Sequence, residues 1–239
     1  PLDTAADLSL AYTPGVAEPC RSIAERPDDA YVYTRKGNTV AVVSDGSAVL
    51  GLGNIGPLAA MPVMEGKCAL FKRFANIDAI PIVLGVQNVD EIVSAICALA
   101  PSFGGINLED IAAPRCFEVE RALRKKLDIP VFHDDQHGTA IVVLAGLLNA
   151  LRVVEKKLQD VRIVINGAGA AGIAIADLLL HAGVRHMTVL DSVGILSVGR
   201  EGMNTEKEAL ARRINIAGVL GNISDAVRGA DVFIGVSKG

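Results

Sequence analysis

The amino-acid sequence predicts an α/β fold made of two domains, each built around a parallel sheet. Short runs of β-branched and apolar residues alternate with longer stretches of helical periodicity, as in proteins that cover a parallel sheet with helices. Hydrophobic residues make up 51% of the 239 residues and charged residues 21%, which is enough for a sizeable core. The alternation starts afresh near residue 160, after a long helical stretch. We therefore predict one domain over residues 1–136 and a second over 137–239.

The first elements follow from local pattern. Residues 1–38 are predicted to be irregular, because they contain Pro14, Pro19 and Pro27. The stretch TVAVVSDG (39–46) is β-branched and ends in a turn, which is typical of a strand. A helix is then predicted as far as Phe74, with an interruption at Pro62 because proline lacks the amide hydrogen that a helix needs. The apolar run at 79–86 predicts a buried parallel strand.

Two further helix–strand pairs complete the first domain. Asn88 is a suitable N-cap for a helix whose apolar residues recur at helical spacing. The short strand GGINLED, the amphipathic helix APRCFEVERALRKKL and a strand over 129–135 follow. A long helix from about Gly138 to Leu158 then leads into the second domain.

The second domain repeats the alternation. A strand is predicted over 161–167, followed by a turn and a helix that Gly183 ends. The next strand covers 186–191, and residues 192–204 are predicted to form a loop. The helix TEKEALARRI, the short helix ISDAVRGAD and the strand VFIGVS complete the described pattern.

The composition argues against several classes of partner. The net charge is −4 and no long run of like charges occurs, so no nucleic-acid partner is expected. The longest apolar runs, such as 140–151, are too short to span a membrane, and no secretory signal is visible at the N-terminus. Cys20, Cys68, Cys97 and Cys116 form no C-x-x-C pair, which favours reduced thiols in a cytoplasmic protein.

The pattern G-x-G-x-x-G occurs twice, and the context separates the two copies. GAGAAG follows a strand directly, opens an uninterrupted helix, and is followed about 20 residues later by a strand that ends at Asp191. Such a helix N-terminus faces the pyrophosphate of a dinucleotide, and the acid bonds the ribose hydroxyls. The second domain is therefore predicted to be of the Rossmann type, a doubly wound parallel sheet. The predicted cofactor contacts are Gly167, Gly169, Ala170, Ala171, Gly172 and Asp191.

The other copy, GLGNIG (51–56), lacks both the uninterrupted helix and the terminal acid. We interpret its glycines as positions where backbone approaches something closely. The choice between NAD and NADP leans towards NAD, because Asp191 would repel a 2′-phosphate. Cationic loop residues from Arg200 onwards leave that choice open.

Two pairs of adjacent carboxylates end two neighbouring strands. Glu109 and Asp110 follow one strand, and Asp134 and Asp135 follow the next. The carboxyl ends of parallel strands form the functional crevice, and several carboxylates converging there would repel one another without a cation. All-oxygen ligation suits Mg²⁺ or Mn²⁺. The alternative is that these acids cap helices or face solvent.

Four more side chains have open interpretations. His133 and His137 flank the second acid pair and allow a zinc site, although no cysteine joins them. Lys67 has apolar neighbours, so desolvation would lower its proton affinity and suit it to act as a base; the alternative is a surface lysine. Tyr12 lies between an apolar stretch and a proline-stiffened turn, where a buried structural tyrosine is the simplest interpretation.

Five blocks of the sequence, in order and over essentially the whole chain, resemble the malic enzymes in their compact prokaryotic form. The blocks are AYTPGVAEPCRSIA, DGSAVLGLGNIGPLAAMPVMEGKCALFK, GGINLEDIAAPRCFEVE, FHDDQHGTAIVVLAGLLNAL and VINGAGAAGIAIADLL. The resemblance implies oxidative decarboxylation of (S)-malate to pyruvate and CO₂, with NAD or NADP and with Mg²⁺ or Mn²⁺. It also implies a homodimer or a higher homo-oligomer.

The resemblance also implies roles for individual residues. Lys67 would take the proton of the malate C2 hydroxyl, and Tyr12 would protonate C3 of enolpyruvate. The metal ligands would be Glu109, Asp110 and Asp135, with Asp134 orienting them from the second shell. The dinucleotide turn falls on GAGAAG, and GLGNIG corresponds to a loop that lines the catalytic cleft.

Two departures from the family pattern matter. Larger members carry a substrate-binding arginine just before G-L-G-x-x-G, whereas this chain reads SAVLGLG. Family members also continue beyond GVSKG, so the chain is expected to end before the family's C-terminal segment. Two alternatives therefore stay open: a truncated, non-catalytic dinucleotide-binding or dimerisation module, and another two-domain α/β dehydrogenase that acts on an amino acid or a folate.

Overall fold

Two four-stranded sheets form the framework of the protein, which a computed structural model describes over residues 2–215 and 218–237. The first sheet contains β1 (Thr39–Ser44), β2 (Asp78–Val83), β3 (Gly105–Leu108) and β4 (Val131–His133), in the order β2-β1-β3-β4 with all neighbours parallel. The second contains β5 (Arg162–Asn166), β6 (His186–Asp191), β7 (Gly194–Ile195) and β8 (Val232–Gly235), in the order β7-β6-β5-β8. Strand β7 is antiparallel to β6, while β5 is parallel to β6 and β8. The predicted α/β class is confirmed.

Helices connect these strands. They are α1 (Ala5–Ala11), α2 (Ala17–Glu25), α3 (Ala30–Tyr33), α4 (Pro57–Ala75), α5 (Val89–Leu99), α6 (Arg115–Lys126), α7 (Thr139–Val153), α8 (Ala170–His181), α9 (Thr205–Ile214) and α10 (Ile223–Ala226). A π-turn, Asp134–Gly138, joins β4 to α7. Within the described part of the chain, the helices fall short of the length and hydropathy that a membrane span needs.

The prediction that the N-terminal residues are irregular is wrong, because α1, α2 and α3 lie there. Thr4 begins α1 with a capping box that it shares with Asp7. None of the three helices buries a residue completely, and α1 and α3 are only 7 and 4 residues long. Such short segments, interspersed with prolines, give too few positions for a helical period to stand out.

The predicted interruption at Pro62 is also wrong, because α4 continues through this residue. Pro62 lies on the exposed side of the helix, where Leu58 is 84% exposed. The carbonyl of Leu58 loses its helical donor at Pro62, and solvent can satisfy it. The predicted long helix after Gly138 is shorter than expected, since α7 ends at Val153.

One buried apolar cluster runs through both sheets. It includes Ile106 and Phe117 from the first half of the chain and Ile163 and Ile175 from the second. Helix α7 packs against α8, and α8 also packs against the π-turn that follows β4. The end of the first sheet is thereby held directly against the helix that opens the second sheet's first crossover.

Candidate active site

Three carboxylates converge at the carboxyl ends of β3 and β4. Glu109 and Asp110 follow β3, Asp135 lies in the π-turn after β4, and one oxygen of each lies within 4.8 Å of the other two. Neighbouring side chains on a strand point to opposite faces. Asp110, however, has a left-handed backbone with φ of +55°, so the chain turns there. This turn lets two adjacent acids face one point.

Hydrogen bonds hold Asp110 in this conformation. Its amide donates to Asp135 Oδ2 at 3.0 Å, and its carbonyl accepts from the amide of Ala48 at 2.9 Å. A left-handed backbone costs a non-glycine residue about 1 kcal/mol or more. Asn107 Nδ2 donates to Glu109 Oε2 at 2.9 Å and fixes the second carboxylate. The cluster is therefore positioned by its own strand ends.

The electrostatics of this cluster fit a divalent cation. Burial, followed by the charge of Asp134, raises the pKa of Glu109 to about 7. Burial, followed by the charge of Asp135, raises the pKa of Asp110 to about 6. Asp110 Oδ2 is buried and has no hydrogen-bond partner among the described residues. Crowded carboxylates with an unpartnered buried oxygen form an all-oxygen donor set, which suits Mg²⁺ or Mn²⁺.

Lys67 joins the cluster from α4. Its Nζ lies 2.7 Å from Asp134 Oδ2 and 3.2 Å from Glu109 Oε1. Burial alone would lower the pKa of Lys67, but the hydrogen bond to Asp134 and the charge of Glu109 outweigh it and raise that pKa. The expectation of a lowered proton affinity for Lys67 is wrong in this state, because two carboxylates from distant parts of the chain lie beside its Nζ.

Tyr12 lies at the surface. It ends α1, and it is 72% exposed, so the interpretation as a buried structural tyrosine is wrong. No hydrogen bond between described residues connects its phenol to Lys67 or to the carboxylates. Its assignment to the active site stays a prediction.

The GLGNIG segment ends a long loop, residues 45–56, between β1 and α4. The amides of Ile55 and Gly56 both donate to the carbonyl of Gly46 at 3.1 Å. A Cβ on Gly46 would lie 2.2 Å from the carbonyl oxygen of Gly56, so the loop closes tightly on itself. A Cβ on Gly51, Gly53 or Gly56 would meet nothing within 4 Å, so the close approach is at Gly46, and the interpretation is wrong for the protein's own backbone at the three motif glycines. The loop differs from a dinucleotide turn, in which the strand leads directly into the helix.

A buried ion pair ties this loop to the segment that follows the metal-binding candidates. Arg115 Nη2 donates to Asp45 Oδ2 at 2.8 Å, and Asp45 is completely buried. Ser47 Oγ also accepts from the amide of Ala112 at 2.9 Å. The sequence analysis did not single out Asp45 or Arg115, because their partnership joins residues far apart in the chain.

The GAGAAG segment has the geometry that a dinucleotide turn needs. Strand β5 ends at Asn166, and α8 begins at Ala170 with Gly169 as its N-cap. A Cβ on Gly172 would lie 1.8 Å from the carbonyl oxygen of Gly167, so helix and strand pack closely there. A Cβ on Gly169 would instead meet open space. Ala170, Ala171 and Gly172 form the first turn of α8, whose free amides suit a pyrophosphate.

Asp191 ends β6, but its carboxylate is already engaged. Arg200 binds it with two hydrogen bonds of 2.6 and 2.8 Å, and Lys207 Nζ lies 2.7 Å away. Burial acts to raise the pKa of Asp191, but the bonds from Arg200 and Lys207 outweigh it and hold that pKa well below its ordinary value. The amides of Val193 and Gly194 also donate to it. The preference for NAD predicted from the sequence assumed that the Asp191 carboxylate is free to repel a 2′-phosphate. In the structure this carboxylate already accepts hydrogen bonds from two cationic side chains and two backbone amides.

Neither histidine hydrogen-bonds the carboxylate cluster, although His133 Nδ1 lies 4.0 Å from Asp135 Oδ2. His133 is fully buried, and neither ring nitrogen has a hydrogen-bond partner among the described residues. His137 Nε2 lies 2.6 Å from Glu120 Oε1. The metal-like group found in the described residues contains carboxylates alone, which disfavours the zinc alternative. The sequence analysis did not single out Glu120, which lies beside the site and contacts His137. A glutamate at a position of α6 that helical spacing predicts to be apolar could have pointed to it.

Comparison with known proteins gives a consistent assignment. A family model described as the malic enzyme N-terminal domain matches residues 2–89 and 86–124, and one for the malic enzyme NAD binding domain matches 136–238. The NAD-dependent malic enzyme of Geobacillus stearothermophilus is 58% identical over 237 residues, which cover 99% of this chain and 50% of that protein. The NADP-dependent malic enzyme of Halomonas elongata is 54% identical over 239 residues, which cover 99% and 56%.

A solved structure agrees with the sequence relatives. The crystal structure of the NAD-dependent malic enzyme from Thermotoga maritima matches with a TM-score of 0.94 and 53% identity, covering 99% of this chain and 63% of that one. The chain spans about half the length of the curated relatives it matches. Since the two family models together match nearly all of its residues, the chain belongs to the malic enzyme family.

Proposed function

We propose that the chain forms the metal-binding and dinucleotide-binding parts of an enzyme that converts (S)-malate to pyruvate and CO₂ and reduces NAD⁺ or NADP⁺. The observation that carries this proposal is the meeting of three carboxylates within 4.8 Å of one another, with Lys67 Nζ at 3.2 Å from one of them. Oxidation of an alcohol followed by loss of CO₂ needs a proton acceptor at the hydroxyl and positive charge beside the developing enolate.

Glu109, Asp110 and Asp135 would hold Mg²⁺ or Mn²⁺. When bound, the cation supplies Lewis acidity for the C2 oxygen and the adjacent carboxylate of the substrate. Lys67, as the neutral amine, would take the C2 hydroxyl proton on Nζ, and the nicotinamide would accept the C2 hydride. Asp134, 2.7 Å from Nζ, would orient the lysine for this transfer. A cation held by Glu109 would offset one of the charges that raise the pKa of Lys67, which would favour the neutral amine.

The final proton transfer is assigned to Tyr12, whose phenol would protonate C3 after the C3–C4 bond breaks. A phenol that is 72% exposed needs a covering surface before it can work in a dry site. The N-terminal helices and α4 also expose large apolar side chains, including Leu10, Val32, Leu58 and Phe74. We propose that a second copy of the chain covers this face in a homodimer or higher homo-oligomer.

The dinucleotide is proposed to lie with its pyrophosphate on the first turn of α8 and its adenosine ribose near the end of β6. Asp191 carries one negative charge against the two positive charges of Arg200 and Lys207. One net positive charge at this point favours a 2′-phosphate, so we revise the lean towards NAD and propose that NADP⁺ is accepted as well.

The domain division at 136/137 and a cytoplasmic location are kept as proposals. The π-turn, with its carboxylates, begins just before the division, and α7 follows it, which supports a boundary at this point.

The four cysteines are free thiols, as a reducing compartment would leave them, although Cys20 is exposed rather than in the core.

The test measures NAD(P)H formation from (S)-malate with Mn²⁺. It is run in parallel on the 239-residue chain and on a version extended to the length of its curated relatives. Turnover that needs Mn²⁺ and is lost in Asp135→Asn supports the proposal. Turnover without any divalent cation would favour another two-domain dehydrogenase. Dinucleotide binding without turnover in either version would favour a non-catalytic dinucleotide-binding module.

A further inference from the structure

The segment that carries Asp134 and Asp135 is a π-turn, a wide and uncommon turn that is often found at functional sites. Within it, neighbouring carboxylates reach separate partners. Asp134 accepts from Lys67 Nζ at 2.7 Å, whereas Asp135 accepts from the amide of Asp110 at 3.0 Å. The direction of both carboxylates therefore depends on how this turn is held.

The inside of the turn is held by close packing. A Cβ on Gly138 would lie 2.4 Å from Asp134 Oδ1, so the carboxylate folds over the end of the turn. The outside is different. Glu120, Gln136 and His137 line a cavity of about 370 Å³ between the turn, α6 and α8. Helix α8 contacts the turn elsewhere, but the cavity leaves part of this side unpacked, so a hydrogen bond across it helps to fix the turn.

The anchor is a single hydrogen bond. His137 Nε2 lies 2.6 Å from Glu120 Oε1, and the Glu120 side chain is 7% exposed. Among the described residues, His137 is the side chain that hydrogen-bonds Glu120. Phe132 supports the imidazole, with ring centroids 5.6 Å apart. A buried carboxylate is costly unless it is hydrogen-bonded, so Glu120 on the apolar stripe of α6 is explained by this one contact.

We infer that Glu120 and His137 are positioning residues that hold the π-turn so that Asp135 joins Glu109 and Asp110 at one point and Asp134 meets Lys67. The inference rests on the proposed function, because the carboxylates are aimed at a divalent cation. His137 bonds Glu120 and is not one of the three clustered groups, so it acts through the backbone of the turn rather than as a ligand. Residues that orient metal ligands typically change metal affinity by about 10- to 100-fold when they are removed.

The test removes each end of the bond and measures Mn²⁺ binding by electron paramagnetic resonance of the free ion, on the whole chain. His137→Met keeps the side-chain volume without the donor, and Glu120→Leu removes the acceptor. Each should weaken Mn²⁺ binding by about 10-fold or more. The Mn²⁺ affinity of the double variant should be no lower than that of the single variant with the lower affinity, because both changes break the same bond. His137→Gln retains a nitrogen donor and should return the dissociation constant to within about 3-fold of the unaltered chain.

Matched controls separate positioning from folding. Glu118→Leu changes an exposed glutamate on the same helix and should leave Mn²⁺ binding unaltered. Thermal unfolding in chelator and NAD⁺ binding are recorded for every variant, because a merely structural role would lower stability without changing the affinity of the folded protein. Should His137→Met not fold, Glu120→Gln decides: it keeps the shape of the acceptor and weakens the bond, so a loss of about 3-fold or more is expected.

The outcomes are distinct. Unchanged Mn²⁺ affinity in folded His137→Met and Glu120→Leu overturns the inference, as does failure of His137→Gln to restore it. If Asp135→Asn loses Mn²⁺ binding while His137→Met binds Mn²⁺ as tightly as the unaltered chain, the inference is overturned and the proposed metal site still stands. An unaltered chain that binds no Mn²⁺ refutes the proposed metal site, and the inference with it.

Discussion

Without a metal, the carboxylate cluster should make the stability of the protein fall as pH rises from about 4 to 7. Burial and neighbouring acids raise the pKa of Glu109 from 4.5 to about 7 and that of Asp110 from 3.8 to about 6. A raised carboxyl pKa means that the folded state keeps its proton where the unfolded state has lost it. The folded state binds more protons between the two pKa values, so unfolding becomes easier with rising pH across that window.

The magnitude follows from the shifts. At 1.36 kcal/mol for each pKa unit, each carboxyl contributes about 3 kcal/mol at most, since both residues are 5% exposed. The two groups lie within one cluster and titrate together, so the sum is smaller than two independent contributions. We expect a loss of a few kcal/mol in the free energy of unfolding between pH 4.5 and 7.5, where the midpoint of a urea transition can follow it.

The assay compares the unaltered chain with Glu109→Gln/Asp110→Asn in chelator, from pH 4.5 to 8. The variant has no carboxyl at either position, so the difference between the two proteins isolates the cluster. As pH rises, the free energy of unfolding of the unaltered chain should fall relative to that of the variant. Saturating Mn²⁺ at pH 7.5 should reverse this change, because the deprotonated carboxylates then bind the metal. A difference that is flat with pH, or that favours the unaltered chain more at pH 7.5, would refute the reasoning.

Three further predictions concern the separate parts of the site. Asp135→Asn should abolish Mn²⁺-dependent turnover and leave NAD⁺ affinity within about 3-fold, because the amide is a poor ligand and the dinucleotide turn lies elsewhere; turnover equal to that of the unaltered chain would contradict the ligand assignment. Gly169→Val should weaken NAD⁺ binding by about 10-fold or more in a calorimetric titration, because it fills the open space before α8, whereas Gly53→Val should spare it; the reverse order would show that the wrong glycine turn was chosen. Lys207→Glu should weaken binding of 2′-phosphoadenosine 5′-phosphate more than binding of AMP, and equal losses would contradict a role for this charge at a 2′-phosphate.

Most strands and the longer helices could be predicted, because the sheets are buried and apolar residues recur in these segments at a regular spacing. Strand β6 and helix α9 have the predicted bounds, and Asp191 ends β6 as expected. Helices α1 to α3 could not be predicted in the same way, because they are short, fully bury no residue and lie among prolines, which were interpreted as a sign of irregular structure. Pro62 misled the interpretation because the cost of proline depends on whether solvent reaches the carbonyl that loses its donor.

The chemistry of the site depends on contacts that sequence neighbours do not reveal. Lys67 and Asp134 are 67 residues apart in the chain, and their hydrogen bond reverses the pKa shift that apolar neighbours suggested. Asp110 faces the same point as Glu109 because of its left-handed backbone, which aspartate adopts more readily than most residues but which no local pattern marks at this position. Residue types predicted a metal and a dinucleotide, and three-dimensional structure was needed to find the partners that tune them.

A single helix explains how the two binding sites could share one reaction. The N-terminus of α8 begins at the dinucleotide turn, and α8 also packs against the π-turn that carries Asp135. Hydride transfer needs the donor carbon and the nicotinamide within van der Waals contact, where small errors in position cost much of the rate. Because the turn proposed to bind the metal packs directly on the helix proposed to bind the cofactor, few contacts would separate the two sites and set this distance. The bond between His137 and Glu120 lies at that same packing contact, which is why its loss should be felt at the metal first and at the dinucleotide much less.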